Sequence, residues 1–408
     1  MPVKELRINI IGAGVSGLTA AIVLEKAGYT PHIFEKTERV GGRLKTERQG
    51  PYVFDHGFQV LLEAYPMTQK YLDYKSLNLR QFLPGAIVFD RKKTKKFGDP
   101  LRHLGFLLPI IFSAHASLSD KIKVFLLNLE IKKKSLALIF EEEETTTLDY
   151  LQRRGFSSKI IYYFFQPFFS GIFLETELNT SSRMFEFVFK MFAEGQASVP
   201  KDGIEAIAKQ LKAQLKKTIF HFNTQVNKID QSGLTLDGSH FIKSDFTIIA
   251  TEVDTLIDNL RNQKVFWKTC YCFYFKVKDK VIQGPLIGLI PGKHLVNNLH
   301  YVNALTGHSS NLISVTVVNN KGLLGDDLLA SVKKELYTLC GIVVGDLQQS
   351  FVIPKALPQL HDLQYEIAPS ESQLTEGVFL AGDVTLNGSL NAAMAAGENA
   401  ALGVLGKL

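Results

Sequence analysis

Leu6-Arg7-Ile8-Asn9-Ile10-Ile11-Gly12-Ala13-Gly14-Val15-Ser16-Gly17 is an apolar run that empties into three spaced glycines. A run this short and continuous suits a parallel strand buried on both faces. Leu18, Ala21, Ile22 and Leu24 follow with helical spacing up to Ala27, and Gly28 closes the helix. Thr30 to Phe34 reads as a second strand, ending at Glu35. Each glycine in this βαβ unit has a separate job. Gly12 permits the tight turn, Gly14 lets a pyrophosphate approach the backbone, and Gly17 lets the helix pack on the strand. The helix start, with Val15 and Ser16 in its first turn, offers free N–H groups to phosphates. Glu35 stands 18 residues past Gly17, with Lys36 beside it. A carboxylate there accepts hydrogen bonds from both ribose hydroxyls and repels a 2′-phosphate. These residues predict a dinucleotide without that phosphate, and on their own they leave NAD and FAD open.

The rest of the composition bounds the molecule. A chain of 408 residues exceeds one ordinary core and predicts two or three folding units. With 46% hydrophobic and 21% charged residues it is globular. A net charge of +6 matches ordinary surface lysines. It demands no nucleic-acid partner, and it permits contact with an anionic membrane. Cys270, Cys272 and Cys340 are too few for a disulfide framework, and no histidine pair completes a zinc site with them. They read as buried apolar residues in a reducing cytoplasm, and no metal is expected. The first apolar run has no cleavage site, so no signal peptide is read there. No apolar stretch reaches the roughly 20 residues that span a bilayer. Gly105 to Ala114 comes nearest, and Pro109 interrupts it.

Beyond residue 90 the pattern changes. Residues 91 to 134 are basic and rich in Leu, Ile and Phe, and residues 147 to 195 read as helical and aromatic. From Lys201 to Lys217 a helix is expected with Ile204, Ile207, Ala208, Leu211 and Leu215 on one face. Short strands follow at Ile219 to Phe222, Val226 to Ile229, Leu234 to Leu236 and Phe246 to Ala250. Residues 265 to 320 alternate like antiparallel strands, Asp326 to Leu339 is a helix, and a small-residue helix runs from Leu390 to Leu405. The expected fold is α/β. A Rossmann-type domain, a parallel sheet plus a β-meander, takes residues 1–90, 200–261 and 351–408. A mixed α+β substrate domain with a helical subdomain takes residues 91–199 and 262–350.

Two further motifs bear on the ligand. In Arg39-Val40-Gly41-Gly42-Arg43-Leu44-Lys45-Thr46, paired glycines let a loop fold closely over a ligand, and Arg43 offers a planar guanidinium to a phosphate or a flavin edge. The same letters also fit a surface turn. Near the C-terminus Ala381-Gly382-Asp383 ends a strand, and Gly388-Ser389-Leu390-Asn391-Ala392-Ala393 opens a helix. A helix N-terminus there would stabilise negative charge on a reduced flavin. Asp383 can bond a ribityl chain, or simply cap the turn.

Taken together these motifs resemble the FAD-dependent amine oxidase superfamily, which includes amine oxidases, protoporphyrinogen oxidase and the phytoene desaturases. Phe54-Asp55-His56-Gly57-Phe58 resembles the family's Asp-x-Gly segment beside the flavin. Pro200-Lys201-Asp202-Gly203-Ile204 is similar to its Pro-x-Gly-Gly turn, with Asp202 replacing the first glycine. Val226 falls where the family packs a valine on adenine, and Thr247-Ile248-Ile249-Ala250-Thr251 resembles its strand ending beside the cofactor. Ile353-Pro354-Lys355-Ala356-Leu357-Pro358 resembles the segment that leads to the flavin in the desaturase branch. The resemblance implies non-covalent FAD held by Gly12, Gly14, Val15, Ser16, Gly17, Glu35, Lys36, Gly42, Arg43, Gly57, Phe58, Val226, Ala250, Thr251, Gly382, Asp383, Leu390 and Asn391. Asn391-Ala392 departs from the family's acidic residue and glycine, and Ala392 adds a Cβ near the flavin.

The implied activity is hydride transfer to flavin N5 from a small donor, after which an acceptor that the sequence does not name reoxidises the flavin. An apolar, desaturase-like donor fits the aromatic residues Phe164, Phe165, Phe168, Phe169 and Phe173, which equally fit a plain core. The alternatives are an amine oxidase, an isomerase without net redox, and a non-enzymatic member of the kind seen in Rab GDP-dissociation inhibitors. No catalytic side chain is identified. Lys268 reads as an exposed strand-end lysine, and His56 as a histidine bonded to nearby backbone. Arg102, Lys121, Lys123 and Lys132-Lys133-Lys134 surround apolar residues from Leu104 to Leu129. That stretch fits either a buried helical subdomain or a peripheral contact with a membrane.

Overall fold

A computed structural model of the chain describes residues 6–90, 93–98, 117–254, 256–257, 264–306 and 311–408. Arg102, Leu104 and the run from Gly105 to Ala114 lie outside the described residues. The strands that build the two large sheets are, in chain order, β1 (Ile8–Ile11), β2 (His32–Phe34), β3 (Gly85–Asp90), β4 (Lys93–Gly98), β5 (Ile219–His221), β6 (Phe246–Ile249) and β7 (Phe266–Val277). After them come β8 (Ile287–Leu289), β9 (Val296–Tyr301), β10 (Leu312–Val317), β11 (Val344–Gln359), β12 (Gln373–Thr375) and β13 (Val378–Leu380).

The first sheet has the order β5-β2-β1-β6-β13-β12, parallel except at β12. All four residues of β1 are buried, as a strand covered on both faces requires. The chain leaves β1 for β2 on one side and returns to β6 on the other, which opens a crevice at the carboxyl end of β1. Helix α1 (Val15–Lys26) crosses one face of this sheet. A meander of Val226–Asp230, Gly233–Leu236 and Phe241–Lys243 follows β5, its third strand falling where the sequence pattern gave none. The helix expected over 201–217 is shorter, Ala206–Gln214, and still buries Ile207, Ala208 and Leu211.

The second sheet has the order β11-β7-β10-β9-β8-β3-β4 and is antiparallel except for the β8–β3 pair. β3 and the part of β11 beyond residue 350 pair within this sheet, on the far side of the expected borders at 90 and 351. Local alternation shows that these are strands, but cross-strand register decides which sheet receives them.

The helical layer contains α2 (Leu118–Lys133), α3 (Gln166–Phe173) and α4 (Ser182–Glu194). A π-helical turn over Ile161–Phe165 leads into α3. α5 (Gly325–Cys340) buries Leu328, Val332, Leu336 and Cys340 against one face of the second sheet. α6 (Leu390–Leu405) packs along α1 so closely that a Cβ on Gly397 would come 2.2 Å from the Ser16 carbonyl oxygen.

Candidate active site

The turn after β1 is built from backbone contacts. Gly12 has φ +103°, and a Cβ on Gly17 would lie 2.0 Å from the Gly12 carbonyl oxygen, so α1 can approach the strand only with glycine there. Gly14 is the N-cap of α1, and no side chain caps the helix. The first-turn N–H groups of Val15 and Ser16 therefore remain open to a phosphate. Nothing lies within 4 Å of where a Cβ on Gly14 would sit, so a ligand can approach that backbone.

Glu35 is buried at the end of β2. One carboxylate oxygen accepts from the Ala13 N–H (2.9 Å), and the other from the Thr37 N–H (2.9 Å) and hydroxyl (2.8 Å). These bonds fix the carboxylate beside the glycine turn and leave lone pairs for ribose hydroxyls. The Gly41-Gly42-Arg43 loop is no surface turn. The Gly41 N–H donates to the Ala13 carbonyl (2.9 Å), and a Cβ on Gly42 would come 3.3 Å from the Gly14 Cα. Arg43 pairs with the buried Asp383, and its guanidinium lies 5.2 Å from the centre of the Trp267 ring. Residues 340 positions apart are thereby clasped together at the cofactor end.

One cavity of about 1360 Å³ runs through the protein. That exceeds the roughly 300–1,000 Å³ of a single ligand pocket and leaves room for a dinucleotide and a second molecule. Gly12, Gly14, Val15, Ser16, Glu35, Lys36, Gly42, Arg43, Gly57, Phe58, Ala250, Thr251, Gly382, Asp383 and Leu390 line it. Three expected residues do not. Gly17 supports the turn from behind. Val226 is buried with Ile11 and Phe34 under the meander. Asn391 is buried in the first turn of α6, where its side-chain oxygen accepts from the Met67 N–H (3.0 Å). Ala392 is helical and donates its N–H to the Ser389 hydroxyl (3.0 Å), so its Cβ strains nothing.

The donor half of the cavity is aromatic. Phe58, Phe82, Phe164, Phe168, Phe169 and Phe192 line it, whereas Phe165 and Phe173 are core residues away from it. Lys268 is half-buried and turned away from the cavity. It donates to the Phe173 carbonyl (2.8 Å) and the Thr180 hydroxyl (3.3 Å), and burial lowers its pKa. The expected exposed lysine is thus a strap between β7 and the helical layer. His56 lines the cavity, stacks on Phe351 at 4.0 Å and meets the Glu47 carboxylate at 3.2 Å. Its partner is an acid and not the backbone, and burial holds its pKa down. All three cysteines are buried and free. Cys270 lines the cavity, and burial pushes its thiol up to about 12, which leaves it protonated and a poor nucleophile toward flavin. Asn298 and Thr316, unmarked in the sequence reading, also line the cavity. Polar residues alternating with apolar ones along both strands, Asn298 and His300 on β9 and Ser314 and Thr316 on β10, were the available signal. Among the described residues no cluster of His, Cys, Asp or Glu could hold a metal ion.

A parallel sheet with an uncapped helix start, a carboxylate at the end of β2 and a clasped second glycine loop define a flavoprotein-type dinucleotide site. Known proteins agree. A family model described as flavin containing amine oxidoreductase matches residues 15–268, more than half of the chain. The protein belongs to this family, and its cofactor is FAD. The chloroplastic/mitochondrial protoporphyrinogen oxidase 2 of Arabidopsis thaliana is 30% identical over 169 residues, 41% of this chain and 33% of that protein. An L-amino-acid oxidase of Bungarus fasciatus is 28% identical over 241 residues, 55% of this chain and 45% of that protein. The chain thus matches less than half the length of either relative. The solved CLA-producing fatty acid isomerase from P. acnes shares the fold, with a TM-score of 0.69 at 17% identity and 98% of each chain covered.

Proposed function

We propose that this protein is an FAD-dependent oxidoreductase that removes a hydride from an elongated, neutral, apolar donor, as the desaturases do. Two features of the lining support this reading: the six phenylalanines named above are part of it, and the charged residue that α2 adds to it, Lys121, is a cation and no counter-charge for an amine. A protonated amine placed there would lose its hydration without a counter-charge, a cost of several kcal/mol. FAD supplies the two-electron acceptor. The chain's own residues hold the dinucleotide through the glycine turn and Glu35, exclude water with the aromatic wall and orient the donor along it. An amine donor is the second reading, favoured by the family match.

The donor's entry is at α2. Lys121, Ile122, Val124, Phe125 and Asn128 line the cavity from this helix. Leu118 (74% exposed), Ile122, Phe125, Leu126 and Leu129 form an exposed apolar stripe at helical spacing. Asp120, Leu127 and Ile131 are buried on the opposite side, so one face of α2 packs inward and the other is exposed. A lipid surface is the contact this stripe fits. No helix among the described residues is long and apolar enough to cross a membrane.

Anaerobic mixing of the FAD-loaded protein with isoprenoid or fatty donors on one side, and primary amines on the other, tests the reading. Bleaching of the visible flavin band by the first set supports it. Bleaching by amines alone replaces it with the second reading, and product formation without bleaching points to isomerisation.

A further inference from the structure

The inner wall of the cavity carries a polar feature that the cofactor does not need. Asn298 on β9 and Thr316 on β10 are direct cross-strand partners, so their side chains share the cavity face of the sheet. Both are buried, at 1% and 3% exposure, and both line the cavity. The Asn298 side-chain oxygen and the Thr316 hydroxyl have no hydrogen-bond partner in the protein. Buried polar atoms rarely go unpaired, and each such exception calls for a reason.

The surroundings fix both groups in place. The register slips between Val296 and Asn298, a bulge that sets three β9 residues against two on β10. Asn297 lies in that bulge, and its side-chain oxygen accepts from the Asn298 amide (2.8 Å). The Asn297 amide donates in turn to the Pro167 carbonyl (3.2 Å), at the start of α3. Gly171 on α3 lines the cavity at the same place. A Cβ there would come 2.6 Å from the Asn298 amide nitrogen and 2.7 Å from the Asn297 oxygen. Two carboxamides are thus held in line under α3. One Asn298 amide N–H is used, and its oxygen, like the Thr316 hydroxyl on the paired strand, is left without a partner.

We propose that Asn298 and Thr316 are a specificity site that reads one neutral hydrogen-bond donor, a hydroxyl or an amide N–H, on an otherwise apolar donor molecule. The assignment rests on the apolar-donor reading above and names the polar group that reading leaves open. Asn298 accepts from the substrate's O–H or N–H, and where the group is a hydroxyl, Thr316 donates to the same oxygen from the neighbouring strand. A molecule without that hydrogen leaves the Asn298 acceptor unpaired in an apolar wall, which is the strongest form of discrimination a hydrogen bond offers. No electron or proton transfer is involved.

The test uses FAD-loaded full-length protein and two inert probes of equal length, 1-decanol and methyl nonyl ether, titrated anaerobically and followed by the flavin difference spectrum. The alcohol is expected to bind about tenfold more tightly than the ether, which cannot donate. Asn298→Leu erases that preference, and the volume-matched Thr316→Val weakens the alcohol by about tenfold, with FAD content unchanged in both. Equal affinities in the wild-type protein overturn the proposal and leave the apolar-donor reading standing. Wild-type affinity for the alcohol in both variants does the same. Failure of the wild-type protein to bind either probe overturns the apolar-donor reading itself, and this assignment with it.

Discussion

Glu35 stands where three separate hydrogen bonds hold its carboxylate next to the glycine turn. Glu35→Gln keeps an acceptor for the Ala13 N–H but puts an N–H₂ where an oxygen met Thr37 or a ribose hydroxyl. FAD affinity is expected to fall by about tenfold or more, measured by flavin-fluorescence titration of the apoprotein. Gly17→Ala is harsher, because the new Cβ meets the Gly12 carbonyl at 2.0 Å and α1 must lift off its strand. Loss of FAD binding and a midpoint of urea unfolding well below that of the wild-type protein are the expected results. Asp55 carries a pH signature. Burial raises its carboxyl to about 6, against hydrogen bonds from the Thr46 hydroxyl (2.6 Å) and the Ile204 N–H (3.0 Å). The folded state then holds this proton more tightly than the unfolded chain does. Stability should fall as pH rises from about 4 to 6, by something on the order of 3 kcal/mol. Asp55→Asn, which keeps an acceptor, flattens that slope in urea unfolding followed across the same range. At this scale the sequence was most legible where a residue acts through its own backbone. Gly12, Gly14, Gly17 and Glu35 stand in the structure at the turn and strand end where their spacing put them. Val226 and Asn391 were placed by resemblance, and packing puts them behind the cavity wall. Asn298 and Thr316 were illegible because a bulge and a strand pairing bring them together.

The helices differ in how their first turns are capped and in which faces they bury. α1 has no capping side chain, which leaves its N–H groups for the cofactor, whereas Ser389 caps α6 by accepting from the Ala392 N–H. The bounds of α6 match the sequence reading because its small residues are punctuated by Ser389 before it and Gly406 after it. α2 was harder to read. Its apolar residues lie on two faces, and composition cannot say that one is buried and the other exposed. If the outer stripe meets lipid, Phe125→Glu together with Leu126→Glu should reduce co-sedimentation with anionic vesicles several-fold and leave the FAD spectrum unchanged. Unaltered sedimentation would remove the membrane from the account of donor entry. The same pair of changes should raise KM for a vesicle-borne donor more than for one presented in detergent.

At the scale of the whole molecule, the chain passes several times between two large sheets and a helical layer, and residues of all three line the large cavity. The Arg43–Asp383 clasp joins the beginning of the chain to its end. The α/β class and the presence of a second sheet could be read from strand and helix patterns. Which strands joined which sheet could not, since β3 and β11 look alike in sequence whichever partner they take. A cavity that binds FAD only in the folded state couples cofactor to stability. Saturation at one hundred times Kd should add about 2.7 kcal/mol. All of this depends on the dinucleotide being FAD. The visible absorption spectrum of the purified protein, recorded before and after denaturation with identification of the released chromophore, decides it. Oxidised-flavin bands, with FAD free in the supernatant after denaturation, are the expected result. A colourless protein that takes up no added FAD would contradict it.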